Sequence, residues 1–191
     1  MKSWVPIVCL CLMPFLLCSC GTESSRPGSS SSPSSGSSRG STTDPTFHYT
    51  AEGGCYDVEL WKSTADGREI LRVFADAKSL MLPRKGSIVF DLAEARSRLT
   101  VTIDQWDGRP ETAEFCGDAM DPHVKKIDSW VAKAGKLTIT TADSDDKAHP
   151  KRYRATAELE EVVFKNSAGR EVTLHKETIS ADVGWNWKDG S

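Results

Sequence analysis

The chain has 191 residues, with 24 Lys and Arg against 27 Asp and Glu and a formal net charge of −3. That length fits one domain with appended segments, at roughly 100–200 residues per domain. The near-balanced, interspersed charge argues against a nucleic-acid binder, which carries a basic face, and supplies no strong field for steering a charged ligand.

The chain opens with Lys2 and then an apolar run over residues 4–18, interrupted by Pro6 and Pro14. A spanning helix needs about 20 apolar residues. This run is shorter, lies at the extreme N-terminus and follows a positive charge, which is the layout of a secretory leader. It ends in Leu17-Cys18-Ser19-Cys20-Gly21. That segment resembles the lipobox of bacterial lipoproteins, an aliphatic residue and two small ones before the cysteine that is acylated and becomes the mature N-terminus. Cys20 fits the pattern, whereas Cys18 would have bulky Leu17 directly before it. The resemblance implies acyl chains on Cys20, a membrane partner reached through that lipid anchor and a location in the bacterial cell envelope. It makes Gly21 permissive for the outer membrane where the organism has one. Two acyl chains hold a protein stably on a bilayer, at about 0.8 kcal/mol for each buried CH₂.

Residues 21–46 comprise 11 Ser, four Gly, four Thr and three Pro with no aliphatic or aromatic side chain. Such a segment cannot bury enough apolar surface to offset its ordering entropy, so it is expected to be a disordered linker. As a Gly/Ser-type coil its reach is about 30 Å. Within it, Gly36-Ser37-Ser38-Arg39-Gly40 matches G-x-S-x-G. The nucleophile elbow needs a strand before and a helix after, and neither is expected here.

Residues 47–191 read as one β-rich globular domain. Tyr56, Val58 and Leu60 alternate with Asp57, Glu59 and Trp61, and Cys55 is expected at the start of this first strand. Leu99, Val101 and Ile103 alternate with Thr100, Thr102 and Asp104, and the same period recurs at 137–140, 152–159 and 172–183. Shorter candidates lie at 70–74, 88–92 and 113–116. Turn signals fall at Asp66-Gly67, residues 83–86, Asp107-Gly108 and residues 166–169. The pattern predicts an all-β fold, an antiparallel sandwich or barrel of about 7–9 strands. One short helix near 122–134 competes with a loop there, with Asp121 as N-cap, Pro122 at N1, and Val124, Ile127, Val131 and Ala134 at helical spacing.

Candidate site residues are few. Cys55 and Cys116 form a pair in an exported domain, where a disulfide is expected, worth about 4 kcal/mol for a loop of roughly 60 residues. They lack the C-x-x-C spacing of a redox site, and two thiols are too few for a structural zinc. His48, His123, His149 and His175 are widely separated, so no metal site is expected. Asp143-Ser144-Asp145-Asp146 begins like a calcium loop but has Lys147 and Ala148 where a ligand and a Gly belong. Asp104 with Asp107, and Glu158 with Glu160 and Glu161, are carboxylate groupings that a wet strand face also explains. Trp185 and Trp187 share one face of a strand, either closing the core or forming an aromatic surface for a glycan or protein partner. No cofactor is implied and no catalytic constellation emerges. The expected function is a non-catalytic binding or interaction module, with a structural envelope lipoprotein as alternative and a hydrolase of envelope polymers further behind.

Overall fold

A computed structural model describes residues 44–55, 57–94, 97–110, 123–147 and 152–184. They form eight antiparallel strands: β1 (Tyr49–Cys55), β2 (Val58–Thr64), β3 (Glu69–Ala75), β4 (Gly86–Asp91), β5 (Leu99–Trp106), β6 (Lys126–Asp143), β7 (Arg152–Asn166) and β8 (Glu171–Gly184). The all-β expectation holds, and the sheet is a nearly closed, barrel-like one. Its order is β1-β2-β3-β5-β6-β7-β8, with β4 paired to β6.

The order hides a simple meander. β7 occupies one side of β6 from Trp130 to Asp143. On the other side, β5 pairs with the first half of β6, Thr102 opposite Val131, and β4 with the second, Asp91 opposite Lys136. β4 and β5 therefore lie end to end, as one strand interrupted at 92–98. The first and last strands come together without a ladder. At their contact a Cβ on Gly54 would stand 2.9 Å from the Ala181 Cβ, so the missing side chain lets the sheet close.

Inward-facing side chains make one core. Val58, Leu60, Leu71, Val73, Val101, Ile103, Trp130, Leu137, Ile139, Leu159, Val162, Phe164, Ile179 and Val183 are buried in it. Their parity changes within each long strand. β6 is inward at Trp130 but then at Leu137 and Ile139; β7 at Ala155, Ala157 and Leu159 but then at Val162 and Phe164; β8 at Leu174 but then at Ile179 and Ala181. Each strand slips by one residue. In β6 the slip is a bulged stretch between Ala132 and Lys136, where Gly135 has φ +113°. A Cβ there would meet the Glu161 carbonyl oxygen and Val162 Cα at 2.6 Å. Opposite, Glu161 itself adopts a positive φ of 49°. An extra residue of this kind bends a strand and increases its twist, which lets the three strands curve around the core.

The short helix near 122–134 is not formed in its described part. Residues 126–134 belong to β6, and no described residue is helical. Ile127 and Val131, four residues apart, share the outward parity of a strand, 44% and 37% exposed, while Trp130 between them is fully buried; only Ala134 lies within the slip. Asp107-Gly108 is likewise no two-residue hairpin. Asp107 N donates to the Lys125 carbonyl at 3.0 Å, so the dipeptide starts a long excursion that returns beside itself. Cys55 ends a first strand rather than starting one, because β1 precedes the alternating run. The candidate strand 113–116 lies outside the described residues.

Other turns form as their residues dictate. In the β2–β3 turn, Asp66 accepts from the Thr64 hydroxyl at 2.7 Å and from Arg68 N at 3.1 Å. These bonds, the hydroxyl's first, hold its carboxyl below the usual range. The β7–β8 turn closes with Gly169 N donating to the Asn166 carbonyl at 3.0 Å, a typical backbone hydrogen bond. The connection at 83–86 is pinned by the Thr141 hydroxyl, which donates to the Pro83 carbonyl at 2.6 Å.

Candidate functional site

Two regions concentrate polar chemistry. The first is the end of the barrel where residues 44–48 enter. Glu69 starts β3 and should, by parity, project inward with Leu71. It is 6% exposed, and a buried carboxylate needs donors. Thr46 N donates to Oε1 at 3.1 Å and to Oε2 at 3.0 Å, Phe47 N to Oε1 at 3.2 Å, and Gln105 Nε2 to Oε2 at 3.4 Å. Beside it the Tyr49 hydroxyl is buried without a hydrogen bond of normal geometry. Burial first, then the carboxylates of Glu69 and Glu177, push that phenol far above its ordinary value. Glu177 in turn accepts from Lys62 Nζ at 2.8 Å, and Glu52 stands 3.7 Å from the same ammonium. A recess of about 250 Å³ opens here, lined by Thr46, Thr64, Glu69, Gln105, Trp106 and Ile127 among others.

The second region is the outer face of β2, β3, β5 and β6. Trp61, Ile70 and Trp106 are buried there in a small cluster with Val124. Trp61 lies over Gly53, where a Cβ would stand 2.4 Å from its ring. Asp104, on the same face, accepts from the Ser129 hydroxyl at 2.6 Å and pairs with Lys126 at 2.9 Å and Arg72 at 3.9 Å. Lys126 also sits 5.3 Å over the Trp106 ring, and Arg72 pairs with Glu59. Along this face Phe74, Ile127 and Val131 are exposed, three of the five exposed large apolar side chains among the described residues. That share makes this the most apolar presented surface. Next to Val131, where β6 leaves β5 for β4, a groove of about 490 Å³ runs between Leu92, Leu99, Val101 and Ala132. A second open groove, about 530 Å³, lies over Val89, Gly135, Lys136 and Glu160.

The residues singled out by sequence divide. Cys20, Cys116, Trp185, Trp187 and His149 lie outside the described residues. Cys55 is the last residue of β1, opposite Glu59. His175 is exposed, 3.1 Å from Glu161, and Glu160 pairs with Lys136. Asp104 does not meet Asp107: the latter accepts from Lys125 N at 2.7 Å and closes the excursion. Asp104, Asp107, Glu160 and Glu161 are thus each engaged by a neighbouring donor or cation. Among the described residues, no three His, Cys, Asp or Glu side chains are placed to share a metal ion. Sequence reading missed Glu69, Tyr49, Lys62 and Glu177. The available signal was a charge at an inward parity position, Glu69 before the apolar run Ile70-Leu71 and Lys62 two residues after Leu60.

No family model, curated protein or solved structure matches the chain.

Proposed function

We propose that the protein is an extracytoplasmic lipoprotein, anchored through acylated Cys20 and presenting its barrel domain as a non-catalytic interaction module on a Ser-rich linker. The observation that carries the interaction reading is where the space lies. Bulky apolar side chains fill the inside of the sheet, while the concavities among the described residues open on its surface, each beside an exposed apolar side chain: Val131, Ile127 or Val89. A filled interior favours recognition on the surface over an enclosed small ligand, which needs a concave, largely closed pocket. The reading includes a Cys55–Cys116 disulfide, since export places both thiols where a pair oxidises. It would tie the end of β1 to the excursion that follows β5.

Metabolic labelling with a palmitate analogue, followed by fractionation, tests the anchor. Wild type should carry label and partition with membranes, and Cys20→Ala should lose both. Membrane partition of unlabelled Cys20→Ala would refute it. For the module, detergent-extracted wild type should run in a larger assembly than Phe74→Asp/Val131→Asp. Equal sizes for two folded proteins would refute the surface reading.

A further inference from the structure

We infer that residues 44–48 are a latched strap that opens while the barrel stays folded, with Glu69 as the catch. Phe47 has φ +55° although it is not glycine. That conformation turns two successive backbone N–H groups, those of Thr46 and Phe47, toward one side, the arrangement by which a backbone nest grips an anion. The anion here is internal, the Glu69 carboxylate. A non-glycine residue persists in this region only where its surroundings over-determine it. The determinants are the Glu69 bonds and the Phe47 ring on the core.

Pro45 is buried too, while Asp44, Thr46 and His48 are exposed. Residues 44–48 join no strand. The ion pair of Asp44 with Arg170, at 3.0 Å, is more than a third exposed on both sides, and such pairs contribute little in water. β6 and β7, by contrast, are paired from Trp130–Asn166 to Asp143–Tyr153. A short segment held by two side chains and the Glu69 bonds, with no ladder of its own, opens at lower free energy than paired strands.

The strap covers something distinctive. Beneath it are the recess beside Glu69 and Gln105 and the buried Tyr49 hydroxyl. Opening would leave Glu69, deep in the barrel end, with Gln105 as a donor, so the closed form is the resting one. The strap continues directly into the Ser-rich segment, and a pull on that segment reaches the Thr46–Glu69 bonds before it reaches any strand. The device would couple load on the linker to exposure of the polar barrel end. The latch itself stands whether or not Cys20 is acylated, whereas the load-coupling rests on the anchor proposed above.

Amide hydrogen exchange on the full chain tests it. In wild type, the Thr46 and Phe47 amides should exchange faster than those of β6 and β7. Glu69→Gln should speed them a further ten- to hundredfold, roughly the effect of losing charge-assisted bonds, with β6 and β7 unchanged and nitration of Tyr49 increased. Should Glu69→Gln fail to fold, Thr46→Pro removes a donor from the strap and leaves the barrel end intact. Phe47 exchange and Tyr49 nitration should rise there too. Strap amides exchanging in step with β6 and β7 in wild type would overturn the inference. So would a folded variant of either kind with Phe47 exchange at the wild-type rate.

Discussion

Replacing Met81 by glycine should stabilise the protein. The β3–β4 connection contains a single hydrogen-bonded turn, with Leu80 N on the Asp76 carbonyl at 3.0 Å. Asp76 caps it, accepting from Ser79 N at 3.0 Å and from the Ser79 hydroxyl at 2.7 Å. Its end is a Schellman arrangement: Leu82 N donates to the Ala77 carbonyl at 2.9 Å and Met81 N to the Lys78 carbonyl at 3.2 Å. Buried Ala77 and Leu82 supply the apolar contact of that motif. Met81 occupies the position where glycine is usual, with φ +52°. A left-handed conformation costs an L-residue about 1–2 kcal/mol. Glycine removes that cost but loses about 0.5–1 kcal/mol more chain entropy on folding. Met81 is 81% exposed, so little burial is forfeited. The net gain is about 0.5–1 kcal/mol, or roughly 1–4 °C in Tm for a domain of this size. Urea unfolding should show the midpoint rising with an unchanged slope. Met81→Ala keeps the strain and should stay within about 0.5 kcal/mol of wild type. If the glycine variant is no more stable than the alanine variant, backbone strain at this position is not the controlling effect.

Gly53→Ala should destabilise by about 1–3 kcal/mol, because the new Cβ meets the Trp61 ring at 2.4 Å; calorimetry showing an unchanged Tm would mean that the ring moves freely. Gly135→Ala should cost more, about 2–4 kcal/mol, since the obstacles at 2.6 Å are backbone atoms that cannot swing away. The carboxyl of Asp76 is held below its ordinary range by the Ser79 backbone and hydroxyl bonds. A lowered folded value contributes stability above the unfolded value, about 3.9, and that stability is lost as pH falls through the folded value. Asp76→Asn, which keeps an acceptor for Ser79 N, should flatten the acid limb of the stability–pH curve below about pH 4; an identical limb in both proteins would contradict the assignment. Free thiols at Cys55 and Cys116 in non-reduced native protein, detected by alkylation and mass measurement, would remove the proposed bridge.

Much of the fold was legible in local pattern. Leu99, Val101 and Ile103 alternate strictly and form the straight part of β5. Asp66-Gly67 and residues 166–169 turn where they should, because their side chains and glycines satisfy the turn by themselves. These features depend on neighbours one to four residues away, which a sequence displays directly. The polar barrel end was less legible. Glu69 is an ordinary acidic residue until the fold brings Thr46 and Phe47, more than 20 positions earlier, onto its carboxylate.

By itself the sequence determined the β-rich class, the meander's main turns and the contrast between the Ser-rich segment and the domain, since composition and short-range period decide these. That 126–134 is strand follows from its pairing with β5 and β7. Val124, Ile127, Val131 and Ala134 match a helix, yet a four-residue spacing such as Ile127 to Val131 fits one face of a strand equally well, and the slip between Ala132 and Lys136 takes Ala134 out of that period. The slip is stable only because β6, β7 and β8 undergo it together, with Gly135 giving room for the backbone at Glu161 and Val162. β1 was likewise invisible: Ala51-Glu52-Gly53-Gly54 has no alternation, and its glycines are required by Trp61 and Ala181, neither of which is a close neighbour in the chain. Period and turn chemistry act along the chain, whereas register and close approach are set by whatever packs across from it.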